Sequence, residues 1–153
     1  MISRLILRLL LLFSTHFIAV VAMSSESKWL VVVHHESALT SLTHKQVMSL
    51  FLGRAKFLPS GERARALDFP IGSDVRAGFY QSLTGKNIAD IDAYWARLQY
   101  SGKASPPVPM SGSDQILQLV GKESSAIAYL PSHLQSQIAE HGLKVVFTID
   151  SQQ

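Results

Sequence analysis

The sequence predicts a layered α/β fold with a mixed, mostly parallel sheet, and two observations support this prediction. Short apolar runs rich in β-branched residues, such as residues 29–33, are typical of strands covered on both faces. These runs alternate along the chain with amphipathic segments that begin at capping residues and end near glycines. Strands that alternate with helices form a sheet with helices packed against it.

The first predicted strand and helix are the most sharply defined. Residues 29–33 form a continuous apolar run, which predicts a strand in the interior of the sheet. Thr43 and Gln46 then have the spacing of a capping box, and Gly53 lies where a helix that begins there would end. Residues 54–62 show neither helical nor strand periodicity, and we interpret them as a loop.

The remaining elements follow from the same signals. Ser73 and Asn87 are placed to cap two successive helices, which end near Gly85 and Gly102. Three prolines at 106, 107 and 109 predict an extended connection. The other predicted elements are strands at 65–68, 125–129 and 143–150, and helices at 114–120 and 132–140.

Length and composition predict one compact domain. The chain has 153 residues, of which 47% are hydrophobic and 16% are charged, and this is a globular composition. It contains no cysteine, which excludes disulfides, thiolate metal ligands and thiol nucleophiles. No repeat or linker divides the sequence into two domains.

Residues 1–22 are predicted to be a cleaved signal peptide, and residues 23–153 the single mature domain. Arg4 and Arg8 precede an apolar stretch that ends in small residues suited to cleavage. Polar residues at 14–16 interrupt this stretch, which is also shorter than the roughly 20 apolar residues that a spanning helix needs. A retained membrane anchor is the alternative.

The charge of the predicted mature domain is close to zero. Without Arg4 and Arg8, 12 basic and 11 acidic residues remain. Proteins that bind nucleic acid usually carry a clustered basic face and a high domain pI. We therefore expect no nucleic-acid partner.

One candidate anion-binding loop stands at the start of the helix that Ser73 caps. Gly72, Ser73 and Asp74 surround the helix N-terminus, whose unpaired N–H groups and dipole favour a negative charge. Arg76, one turn into the helix, could add a bidentate contact to an oxyanion. The alternative is that Ser73 only caps the helix and Asp74 complements its dipole.

A second loop of the same type contains Ser111 and Ser113. It also precedes a predicted helix, and Asp114 follows it as Asp74 follows Ser73. The two loops could form one site if they lie at the same edge of the sheet, where open α/β folds commonly bind ligands.

The sequence gives no positive support for an enzyme, a metal site or a cofactor. His34, His35 and Glu36 are possible metal ligands by type, but adjacent strand-end residues point in opposite directions. Neither a nucleophile elbow nor a P-loop or dinucleotide fingerprint is present. A hydrolase would require His34 or His35 to lie near Ser73.

Three ordered blocks resemble the phosphate-binding proteins of ATP-driven (ABC) uptake systems. Residues 42–53, LTHKQVMSLFLG, are similar to that family's helix "L-[ST]-x-x-Q-[VL]-x-x-[IL]-F-x-G". Residues 72–79, GSDVRAGF, stand in the place of its anion loop "G-S-G-T-R-x-x-F". Residues 113–120 followed by SAIAY at 125–129 resemble a helix followed by "G-A-I-G-Y".

This resemblance implies a three-layer α/β/α sandwich like one lobe of a type 2 periplasmic binding protein, located in the periplasm. It implies binding of phosphate or a related oxyanion by Gly72, Ser73, Asp74 and Arg76, with Ser111 and Ser113 as further candidates. Full-length members trap the oxyanion between two lobes, whereas this chain has room for about one. The implied partner is an ABC permease or a second copy of the chain.

The chain departs from the family pattern at the loop itself, where Asp74 and Val75 replace glycine and threonine. These changes remove a position of close backbone approach and a hydroxyl donor. The alternative function is therefore an accessory module of the cell envelope that keeps the lobe fold without binding solute.

Overall fold

A computed structural model describes residues 28–150, so the predicted signal peptide at 1–22 lies outside the described residues. Within this range the helices are α1 (His44–Phe51), α2 (Asp74–Thr84), α3 (Ile88–Tyr100), α4 (Ser113–Val120) and α5 (Gln135–Glu140), the last preceded by a 3₁₀ turn at Ser132–Leu134. The strands are β1 (Trp29–His34), β2 (Arg65–Asp68), β3 (Val108–Pro109), β4 (Ala126–Pro131) and β5 (Leu143–Ile149). None of the described helices is long and apolar enough to cross a membrane.

The five strands form one mixed sheet in the order β3-β2-β4-β1-β5. β2 pairs in parallel with both β3 and β4, whereas β1 pairs antiparallel with both β4 and β5. Only β1 therefore runs against the others. The predictions of a mixed sheet and of an interior first strand are confirmed. Four of the five strands run in the same direction, while the parallel and antiparallel pairings are equal in number.

Helices cover both faces of the sheet. On one face, Tyr129 of β4 stacks on Phe79 of α2 with ring centroids 3.5 Å apart, and it also contacts Phe51 of α1. Ala128 and Leu130 point to the opposite face and are equally buried. α4 packs against β4 and β1, and α5 packs against β5. The predicted three-layer arrangement is confirmed.

Local side-chain bonds determine where three helices begin. Thr43 and Gln46 form the predicted capping box at α1, with the Thr43 N–H donating to Gln46 Oε1 at 2.8 Å. The side chains of Ser73 and Asn87 likewise cap α2 and α3, each by accepting a hydrogen bond from the backbone N–H three residues later. α4 differs, because Gly112 is its N-cap and has no side chain to bond.

The segment 54–62, predicted to be a loop, differs from that prediction, because an antiparallel bridge between Phe57 and Arg63 closes it into a hairpin.

Candidate functional site

The two predicted anion-binding loops lie at the same edge of the sheet. β2 and β3 are parallel neighbours whose register pairs Asp68 with Pro109, so both strands end side by side. The Met110 N–H donates to the Asp68 carbonyl at 2.8 Å and ties the two loops together. The first loop leads into α2 and the second into α4. The structure thus brings the starts of two helices to the carboxyl ends of adjacent parallel strands.

The first loop exposes its backbone and uses the Ser73 hydroxyl as a helix cap. Gly72 is exposed and has φ of +85°, a left-handed conformation that favours glycine. Ser73 Oγ accepts a hydrogen bond from the Arg76 N–H at 3.3 Å, which leaves the hydroxyl proton available to a ligand. Asp74 is exposed in the first turn of α2. This loop therefore combines a potential donor with a carboxylate.

Arg76 is buried and held by two carboxylates. Its Nε donates to Asp68 Oδ2 at 3.0 Å, and its Nη1 donates to Asp92 Oδ1 at 2.8 Å. The guanidinium also lies over the ring of Tyr80, 5.2 Å from the ring centroid. Burial lowers the pKa of Arg76, but the hydrogen bonds and charges of Asp92 and Asp68 raise it above the ordinary value. Arg76 is therefore an ion-paired cation at this edge.

Asp68, the last residue of β2, is the centre of a buried polar network. Its carboxylate accepts hydrogen bonds from the Tyr129 hydroxyl, from the Tyr80 hydroxyl at 3.2 Å and from the Phe69 N–H at 2.8 Å, as well as from Arg76. Burial raises the pKa of Asp68, and these donors and the Arg76 charge partly offset that effect.

Burial also raises the pKa of Tyr80 and of Tyr129 well above the ordinary value, and the nearby Asp68 charge raises both further. The two hydroxyls therefore stay protonated at neutral pH and can donate to the carboxylate. The network thus buries the charge pair of Asp68 and Arg76, whereas Asp92, the second partner of Arg76, is half-exposed.

The second loop is held by hydrogen bonds to Gln115, a residue of the helix α4 that follows it. The Ser111 N–H and the Ser111 hydroxyl both donate to Gln115 Oε1, at 2.7 and 3.0 Å. Ser111 is exposed, and Ser113 is half-buried as the first residue of α4. Asp114 is exposed in the first turn. An anion that binds here would compete with the Gln115 amide oxygen for the donors of Ser111.

The remaining candidates lie elsewhere. His34 is the last residue of β1 and His35 follows it, so both lie at the other end of this strand from Trp29. Among residues 28–150, no hydrogen bond joins either histidine to Ser73. His35 Nδ1 instead lies 3.0 Å from the Gly142 carbonyl oxygen. In the part of the chain that the structure describes, no group of three His, Cys, Asp or Glu residues is placed to hold a metal ion.

Sequence reasoning did not identify Asp68, Asp92, Tyr80 and Tyr129 as members of the site. Asp68 carried one local signal, because it is a carboxylate at the end of a predicted strand that leads into a capped helix. Asp92 lies on α3 and the two tyrosines on α2 and β4, so only the packing of these elements brings them to Arg76 and Asp68.

No family model matches the chain, and a comparison with curated proteins gave no match. Solved structures do match. An ABC-type phosphate transport receptor from Vibrio cholerae matches with a TM-score of 0.54 and 11% identity, over 83% of this chain and 58% of that one. PstS from Borrelia burgdorferi matches with a TM-score of 0.60 and 9% identity, over 79% of this chain and 47% of that one.

A possible phosphate binding protein from Planctomyces limnophilus matches with a TM-score of 0.56 and 13% identity, over 78% of this chain and 41% of that one. The chain thus spans about half the length of these proteins. The resemblance that the sequence blocks indicate is confirmed for the fold: the chain has the architecture of one lobe of a phosphate-transport substrate-binding protein.

Proposed function

We propose that the chain binds phosphate or a related oxyanion reversibly in the periplasm, as a solute-binding component of an ABC transport system. The observation that supports this proposal most strongly is the convergence of the loops before α2 and α4 at the carboxyl ends of β2 and β3. Ligands of open α/β sheets bind at such edges. The solved structures with this fold are described as phosphate-transport or phosphate-binding proteins.

The donors for an oxyanion would come from both helix starts. The first N–H groups of α2 and α4 have no partner within their helices, and helix N-termini attract anions. The Ser73 hydroxyl proton adds one donor, and Ser111 could add two if it exchanged Gln115 for the ligand. Arg76 has five N–H groups, of which the bonds to Asp68 and Asp92 use two, but its side chain is buried, so it would contribute to binding mainly through its positive charge. Capture would involve no covalent step and no cofactor.

The carboxylates at this edge would determine which oxyanion binds. Asp74 and Asp114 are exposed in the first turns of the two helices and repel a fully charged anion. Hydrogen phosphate carries a proton that a carboxylate can accept, whereas sulfate carries none at neutral pH. We therefore expect weak binding that prefers phosphate over sulfate.

The rest of the binding apparatus would come from a partner. The chain spans about half the length of the phosphate-transport proteins that it resembles in fold. A second copy of the chain could close over the exposed edge, and an ABC permease could receive the solute. Cleavage of residues 1–22 would release the domain into the periplasm.

Isothermal titration with phosphate, sulfate and chloride tests the proposal. We expect saturable heat with phosphate and much less with sulfate. The Ser73→Asp variant keeps a capping oxygen but adds a negative charge, so it should abolish the phosphate heat. The Ser73→Thr variant keeps the cap and the hydroxyl and should retain the heat. Ser101→Ala, at the far end of α3, is the control.

The second candidate is an envelope interaction module that keeps the lobe fold without binding solute. It is favoured by Arg76, whose Nε and Nη1 already bind Asp68 and Asp92 in a buried site. The same titration separates the two candidates. An absence of heat with either oxyanion up to millimolar concentration would support the interaction module and contradict oxyanion capture.

A further inference from the structure

A large cleft lies at the opposite end of β2 from the candidate anion site. It has a volume of about 950 Å³ and runs between the hairpin around residues 57–63 and the extended segment 102–108. Arg65 and Ala66, at the start of β2, form part of its wall. Asp68 lies three positions after Arg65 along the strand, which corresponds to about 10 Å. The cleft is therefore distinct from the loops before α2 and α4.

Among the residues that the structure describes, the charged ones that line the cleft are all basic: Lys56, Arg63, Arg65 and Lys103. Arg65 is paired, because its Nη1 lies 2.7 Å from both carboxylate oxygens of Glu123. Within residues 28–150 the other three cations form no ion pair, and all three are exposed. The near-neutral charge of the predicted mature domain does not predict this local concentration. The cleft thus has uncompensated positive charge on more than one wall.

The walls differ from those of a small-molecule pocket. Such pockets are lined mainly by apolar and aromatic side chains, whereas no residue of the described range 28–150 lines this cleft with an aromatic side chain. Two large apolar side chains are exposed here: Val108, which lines the cleft and is 40% exposed, and Phe57, which lies on the adjoining hairpin and is 60% exposed. Prolines at 106, 107 and 109 prevent a further strand from pairing regularly at this edge. Recognition here would therefore depend on side chains.

We propose that this cleft binds an acidic segment of a partner polypeptide. Glutamate or aspartate side chains would pair with Lys56, Arg63 and Lys103, and apolar side chains of the segment would contact Phe57 and Val108. A concave cleft with cations on facing walls fits a chain that enters it better than a flat membrane surface. This proposal does not depend on whether the carboxyl edge of the sheet binds an oxyanion.

Fluorescence anisotropy with a labelled glutamate-rich peptide of about ten residues, which spans up to about 33 Å when extended, tests the proposal. Ser105 is exposed and lines the cleft, so Ser105→Trp obstructs it without changing the charge. Lys103→Glu reverses one of the free cations. We expect each variant to weaken peptide binding about tenfold, and salt to weaken it further.

Two matched variants serve as controls. Ser101→Trp places the same bulk on an exposed residue outside the cleft lining, and Lys45→Glu reverses an exposed cation on α1. Both should bind the peptide as the unmodified protein does. Equal binding by Ser105→Trp, or equal binding of a peptide with glutamine in place of glutamate, would overturn the proposal. So would binding to phosphatidylglycerol vesicles with no binding to the peptide.

Discussion

Arg76 Nε lies 3.0 Å from Asp68 Oδ2, and both side chains are buried where β2 ends and α2 begins. This pair joins a strand to the helix that follows it, and Asp92 extends the pair to α3. Asp68 also binds the hydroxyls of Tyr80 and Tyr129. The candidate site therefore stands on a connected polar network that joins β2, β4, α2 and α3.

Removal of Arg76 should be far more costly than removal of a comparable cation near the surface. Arg76→Met leaves the Asp68 carboxylate buried without its charge partner, and we expect a loss of about 3–5 kcal/mol in the free energy of unfolding. Arg65→Met breaks a half-exposed pair with Glu123 and should cost at most about 1 kcal/mol. Urea denaturation of both variants provides the comparison. If the two variants lost similar free energies of unfolding, the burial of the Arg76–Asp68 pair would not increase its contribution to stability.

The Tyr129 hydroxyl should contribute to stability through Asp68. Tyr129→Phe keeps the stacked ring but removes one donor from a buried carboxylate, and we expect a cost of about 1–3 kcal/mol. Tyr100→Phe is the matched control, because the side chain of Tyr100 is 98% exposed. Thermal or urea unfolding measures both effects. If Tyr129→Phe left the free energy of unfolding unchanged, the remaining hydrogen-bond donors would be sufficient for Asp68.

The buried Asp68 should also give the fold a characteristic dependence on pH. Burial raises the pKa of this carboxyl in the folded protein, so the folded state binds the proton more tightly than the unfolded state. The contribution of Asp68 to stability is then fully present below its unfolded pKa of about 4. It decreases as the pH rises through the higher folded pKa.

Comparison with Asp68→Asn isolates this effect, since the variant cannot titrate at that position. Urea denaturation at a series of pH values should show that the stability advantage of the unmodified protein over the variant shrinks as the pH rises above about 4. An advantage that grows with pH would mean that the Arg76 charge outweighs burial and lowers the pKa of Asp68.

Gly53 should not tolerate a side chain. Its φ is +67°, and a Cβ atom there would lie 2.7 Å from Cη2 of the buried Trp95. Gly53→Ala should therefore lose more stability than Gly102→Ala, where φ is +65° but the space is open. We expect about 1 kcal/mol for Gly102→Ala from the left-handed backbone alone, and about 1–3 kcal/mol more for Gly53→Ala from overpacking. Equal losses in thermal unfolding would contradict the steric argument.

The sequence predicts most of the helices and strands because their signals are local. The caps at Thr43, Ser73 and Asn87 each involve a bond between a side chain and a backbone group three residues away, and all three are confirmed. The strand order is different. It depends on contacts between segments far apart in the chain, and no local pattern indicates that β1 runs against its neighbours.

The same distinction separates the predicted from the unpredicted parts of the site. The helix starts at Ser73 and Ser113 are local features, and the parallel pairing of β2 and β3 brings them to one edge. The partners of Arg76 were not predictable, because Asp68 and Asp92 lie eight and sixteen residues away on other elements. Whether an arginine is free or paired is decided by tertiary packing, which the spacing of a motif does not record.

The position of β1 has a consequence for how the sheet is completed. Among residues 28–150, β1 is the first strand, whereas its two neighbours, β4 and β5, are the last and lie about 100 residues later. Pairing between segments so far apart in the chain slows folding. Before β5 is added, one side of the apolar strand that contains Val31, Val32 and Val33 is a bare edge. Bare apolar edges recruit strands from other molecules. The pairing of β5 with β1 therefore covers this edge and should protect the folding chain from aggregation.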